Sequence, residues 1–149
     1  LETSYYCIRR SKRSLMDVAI LKDIIYETDK NWRFVFESPL YDKLTFVPGQ
    51  LVQIHAYIPG YDKPVARNYS VASWPDGTNK FELIVTYLEK GVMSDYLFKY
   101  IELGDEILYK GPMGIFTLPD NLMDRDIFFV STGSGVSPFR SMLNHLYEN

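Results

Sequence analysis

From Val18 to Tyr109 the chain is a series of short runs in which apolar and polar residues alternate. Turn chemistry separates them, at Ser38-Pro39, Pro48-Gly49, Pro59-Gly60 and Pro75-Asp76-Gly77. Val52, Ile54, Ala56 and Ile58 alternate with Gln53, His55 and Tyr57; Phe81, Leu83, Val85 and Tyr87 alternate with Glu82, Ile84 and Thr86. A period of two predicts strands with one face in a core and one partly wet face, and their spacing predicts a small barrel. At Ser94 the period changes: Leu97 and Ile101 lie four apart and Gly104 follows, which predicts one short helix that stops at Gly104.

Beyond Gly114 the pattern changes character. Thr117-Leu118-Pro119-Asp120-Asn121 is turn-rich, and Ile127-Phe128-Phe129-Val130 is a continuous apolar run of the kind that forms a fully buried parallel strand. A helix is predicted next, with Ser137 as its cap, Pro138 in the first position and Phe139, Met142, Leu143, Leu146 and Tyr147 as its apolar stripe. One strand and one helix cannot bury the faces of a parallel sheet. The expected organisation is therefore a tail over 1–17, a barrel domain over 18–120, and over 121–149 the incomplete beginning of an α/β domain.

Composition narrows the classes without choosing among them. Hydrophobic residues make up 46% of the 149 residues and charged residues 23%, an ordinary globular mix. A net charge of -3 gives no general attraction to nucleic acid, and no apolar run reaches membrane-spanning length. Cys7 is the one cysteine, which excludes an intrachain disulfide or a cysteine-rich metal centre, and neither His55 nor His145 has partners at metal spacing. Arg9, Arg10, Lys12 and Arg13 read as a solvated tail, and no signal-peptide core accompanies them. The expectation is a soluble, cytoplasmic protein whose own N-terminus is missing, with no metal site, nucleic-acid partner or membrane partner.

Three stretches carry the chemistry: Arg67-Asn68-Tyr69-Ser70, Gly91-Val92-Met93-Ser94 and Thr132-Gly133-Ser134-Gly135. Strand alternation puts Arg67 and Tyr69 on one face, about 6–7 Å apart, where a guanidinium can hold a phosphate while a phenol ring covers a flat heterocycle. Ser70 falls on the opposite face. Gly91 allows a tight turn, and the N–H groups of Val92, Met93 and Ser94 then lie at the positive end of the short helix, an anion site. Gly133 and Gly135 repeat that logic before the second helix, although Pro138 stands where a GxGxxG fingerprint has its third glycine. Taken singly, each stretch has a structural explanation: a salt-bridging arginine, a turn glycine, an N-cap serine, a close helix packing. Their order makes the case.

In that order the stretches resemble the ferredoxin-reductase family of flavoproteins, as do the turns Pro48-Gly49-Gln50 and Gly111-Pro112-Met113-Gly114. The resemblance runs from about Val18 to the last residue. It implies a mainly β fold: a six-stranded antiparallel Greek-key FAD-binding barrel with one short helix, then the first β-α unit of a truncated nucleotide-binding domain. It also implies that Arg67 binds the FAD pyrophosphate, with Asn68 beside it among the cofactor-binding residues, that Tyr69 stacks on the isoalloxazine, and that Ser70 bonds near flavin N5, Tyr69 and Ser70 being the catalytic pair. Gly91, Val92, Met93 and Ser94 would cradle the phosphates, and Thr132, Gly133, Ser134 and Gly135 would lie beside the nicotinamide nucleotide. Members exchange a hydride between NADH or NADPH and FAD and pass electrons to an iron–sulfur protein such as ferredoxin, to flavodoxin or to haem. The alternatives are a flavin-binding module without nucleotide turnover, and an FMN protein, since Arg67 can serve one phosphate as well as two.

Overall fold

The computed structural model describes residues 16–119 and 126–148. Cys7, the basic residues 9–13 and the expected division at 120/121 lie outside the described residues. Six strands form one sheet: β1 (Asp17–Tyr26), β2 (Asn31–Glu37), β3 (Leu51–Ala56), β4 (Val65–Ser70), β5 (Lys80–Thr86) and β6 (Glu106–Met113). Their order is β4-β3-β6-β1-β2-β5, and every pairing is antiparallel. Just past its own end, β4 leads into the middle of β5 through a Val71–Leu83 bridge and an Ala72 N–H donated to the Glu82 carbonyl at 2.8 Å. That seam closes the sheet into a barrel.

The alternating runs do what their period predicts. Val52 and Ile54 of β3, and Phe81, Leu83 and Val85 of β5, are buried with Leu21, Phe34 and Phe36. Phe36 stacks on Phe81 at 5.5 Å between centroids, Phe81 meets Tyr109 at 5.2 Å, and the Tyr109 hydroxyl is satisfied by Ser38 Oγ at 2.8 Å. Ile84, on the supposedly wet face of β5, is also buried, beside a recess that Val136 and Arg140 line from the C-terminal segment.

Between β5 and β6 lies α1 (Val92–Lys99), which plugs one end of the barrel with Met93 and Leu97, while Phe98 stacks on Trp32 at 4.2 Å. Asp95 in the first turn and Lys99 in the last complement the helix dipole and pair with each other at 2.9 Å. The helix stops earlier than predicted. Tyr100 and Ile101 both donate to the Tyr96 carbonyl, and Gly104 sits beyond, in the turn that donates its N–H to Leu21 O at 2.8 Å. Ile101 is buried as expected, but from outside the helix.

The C-terminal segment departs further from expectation. Residues 127–130 form no strand, and Phe128 and Val130 are 87% and 86% exposed. A buried parallel strand requires neighbours on both sides, and the six strands described are all engaged in the barrel. The following helix does form: a 3-10 turn (Gly133–Val136) runs into α2 (Ser137–Glu148). Ser137 is its first helical residue rather than its cap, and its hydroxyl donates to the Ser134 carbonyl at 2.7 Å. Of the predicted apolar stripe only Met142 is buried; Leu143, Leu146 and Tyr147 are exposed, and the buried residues are Ser137, Pro138, Ser141 and Met142. Among the described residues no helix is long and apolar enough to cross a membrane, and no group of three His, Cys, Asp or Glu is placed to hold a metal.

Candidate functional site

β4 supplies the first two groups. Arg67 lies opposite Ile54 and Tyr69 opposite Val52, so both point to the side of β3 that faces the core. Tyr69 is half-buried, and burial pushes its phenol up to about 12, with the Arg67 charge pulling the other way. Arg67 is exposed and rests one Nη on the Ala66 carbonyl at 2.7 Å. Asn68 and Ser70 take the other face, where Asn68 Oδ1 accepts from Gln53 Nε2 at 3.0 Å.

The second group is the turn into α1. Gly91 has φ -79 and ψ 111, an ordinary extended conformation, while the left-handed position of the turn falls on Lys90 at φ 63. Space is what requires glycine here: an added Cβ would stand 2.5 Å from Ser94 Oγ and 2.9 Å from the Leu88 carbonyl. Ser94 Oγ lies 2.9 Å from both the Leu88 and Gly91 carbonyl oxygens and accepts from the Leu88 N–H at 3.2 Å. The hydroxyl therefore stitches the turn, and the start of α1 has no side-chain cap. Its first N–H groups, at Val92, Met93 and Ser94, are left without the intrahelical acceptors they lack by geometry.

These two groups and a third converge. A cleft of about 410 Å³ is lined by Arg67 and Tyr69, by Thr86 at the end of β5, by Lys90 through Ser94, and by Ser134 from the 3-10 turn. Asn68, Ser70, Thr132, Gly133 and Gly135 are not among its walls. Gly133, at φ 54, lines a separate recess of about 310 Å³ together with Glu27, Thr28 and Asn31. Through Lys90 and Val92 the cleft adjoins a larger recess of about 520 Å³, walled by Ile58, Tyr61, Tyr96 and Tyr100. One end of the combined site thus offers two cations and a helix N-terminus, and the other a largely apolar wall with three tyrosines and the carboxylate of Asp95.

Residues 19–118 match the family model of the oxidoreductase FAD-binding domain. The chain belongs to this family. The chain is 37% identical over 123 residues to a ferredoxin–NADP reductase B of Sorangium cellulosum, covering 83% of this chain and 45% of that protein. It is 33% identical over 106 residues to the electron transfer component of the anthranilate 1,2-dioxygenase of Acinetobacter baylyi, covering 71% of this chain and 29% of that one. Among solved structures, a ferredoxin NADP+ reductase from Neisseria gonorrhoeae with bound FAD and NADP superposes with a TM-score of 0.75 at 26% identity, over 87% of this chain and 51% of that chain. The chain thus spans less than half the length of either of these relatives.

The residues present fit FAD. The uncapped N–H groups of α1 and the cations Arg67 and Lys90 make an anion site, and Tyr69 beside it provides a flat, half-buried ring. Sequence reasoning missed Lys90 and the aromatic recess. Lys90 is one residue before the Gly91 turn, so a signal existed. Tyr96 and Tyr100 are four apart at the end of α1 and so carry a helical spacing, whereas Tyr61 comes from the β3–β4 connection and shares no spacing with them.

Proposed function

We propose that this chain is the flavin-carrying part of an NAD(P)H oxidoreductase that passes electrons to a protein partner. The observation that carries the reading is the meeting of Arg67, Tyr69, the Gly91–Ser94 turn and Ser134 around one cleft. When bound there, FAD supplies the exchange between a two-electron hydride donor and one-electron acceptors. Arg67 and Lys90 would balance the pyrophosphate charge, and the backbone N–H groups of Val92, Met93 and Ser94 would serve as its donors. Tyr69 covers the isoalloxazine as a neutral ring. The aromatic recess takes the adenine, which favours FAD over FMN, because a mononucleotide leaves that recess unused. A role for Ser70 and Asn68 at the flavin rests on family resemblance alone, since both face the other side of β4.

Residues 121–149 begin a nicotinamide-nucleotide domain in this reading, with the turn from Thr132 to Gly135 on the donor's side. The relatives named above support an iron–sulfur protein or an oxygenase component as acceptor. A second reading, a flavin-binding module without nucleotide turnover, is favoured by the unpaired, exposed run at 127–130. An absorption spectrum of the purified protein, then anaerobic additions of NADH and NADPH, separates them. Flavin bands that bleach support the reductase and name its donor, bands that persist support the module, and a protein that takes up neither FAD nor FMN contradicts both.

A further inference from the structure

The helix α2 rests on its neighbours through the buried Ser137, Pro138, Ser141 and Met142 and through Phe139, whose ring lies 5.9 Å from that of Phe116. A polar cluster on its flank adds a directed contact to the barrel. One Nη of Arg140 lies 2.7 Å from Glu82 Oε2 and 2.7 Å from the Ala72 carbonyl, and the guanidinium stands over Trp74 at 5.8 Å. Glu82 is itself held: its other oxygen accepts from Arg33 at 2.9 Å, and Arg33 in turn donates to Glu27 at 2.6 Å. The Glu82 backbone closes the β4–β5 seam, accepting from Ala72 N–H and donating to Ser73 Oγ.

We propose that Arg140 and Glu82 form a latch that holds the Gly133–Ser134 turn against the flavin cleft, which makes Arg140 a positioning residue for that wall of the site. The anchor is a seam residue of the barrel, and Arg140 follows Ser134 by six residues, fewer than two helical turns, so a shift at the latch is transmitted to Ser134. Charged side chains that share two acceptors impose direction as well as attraction, which a small apolar contact does not. The inference rests on the proposed function in one respect only, the identity of the ligand in the cleft.

The test compares the parent chain with Arg140→Gln, Glu82→Gln and Arg140→Lys. Amide hydrogen exchange, read without added flavin, is expected to accelerate about tenfold across 133–148 in Arg140→Gln and Glu82→Gln, with β1 to β6 unchanged. Arg140→Lys, which keeps a charged donor but not the planar group over Trp74, is expected to fall between parent and Arg140→Gln. FAD affinity, read by fluorescence quenching, is expected to weaken about fivefold in Arg140→Gln with recovery in Arg140→Lys, a pattern that simple loss of helix packing would not produce. Unchanged exchange in 133–148, faster exchange throughout the barrel, or faster exchange of 133–148 with undiminished FAD affinity would each overturn the latch. A parent chain that takes up no flavin counts against the proposed function, and the exchange data then decide the latch alone.

Discussion

Tyr69 sits where two forces oppose each other. Burial drives its phenol up to about 12 and the neighbouring Arg67 charge draws it down. Tyr109, buried against Ser38, is also pushed up to about 12. Because an unfolded tyrosine ionises near 10, the contribution of both rings to stability is complete below pH 10 and is lost as pH rises through about 12. Urea unfolding at pH 9, 10.5 and 11.5 should show a progressively lower midpoint, and a flat profile would contradict the assignment. Arg67→Ala is expected to weaken FAD binding about tenfold or more through the lost charge-assisted contact, and to raise the Tyr69 phenol further. Flavin titration and the tyrosinate absorbance read these separately. Gly91→Ala should cost about 1–3 kcal/mol in chemical denaturation, since the new methyl meets Ser94 Oγ and the Leu88 carbonyl. At this scale the spacing of Arg67 and Tyr69 was legible, because strand alternation has no alternative geometry. The reason for Gly91 was not: the sequence suggests a conformational need, whereas the structure shows a steric one.

Among the elements, α1 joins the core to the site. Its Leu97 and Met93 close the barrel while its first turn faces the cleft, so packing on one side holds the N–H groups on the other. Leu97→Ala is expected to cost about 2–5 kcal/mol and to weaken flavin retention along with it; a thermal melt and a flavin titration on the same sample check both. The strands of the barrel were legible wherever one face is buried and the other is not, as in β3 and β5. The run at 127–130 misled because apolar content alone does not make a strand: pairing partners do, and this run pairs with none of the described strands. The stripe of α2 misled for a related reason. Periodicity marks a face that can be buried, while the face that packs here is the one carrying Ser137, Ser141 and Met142.

At the scale of the molecule, the described residues form a closed ring of strands in which five ladders are extensive and the sixth join is a single bridge between Val71 and Leu83. Strand count and antiparallel order followed from resemblance, but no local pattern announces which edges meet, since closure depends on residues far apart in sequence. The cleft spans this join, with Arg67 and Tyr69 on the β4 side and Thr86 on the β5 side. A ligand that binds both sides stabilises the folded state by mass action. Limited proteolysis should therefore cut first in the Ser73–Asn79 connection between β4 and β5, and saturating FAD should slow that cut about tenfold or more; equal rates would deny the coupling. In a cell, the same weak join would let a quality-control protease tell a chain with a ligand across its cleft from an empty one, so that occupancy itself sets how long a copy survives.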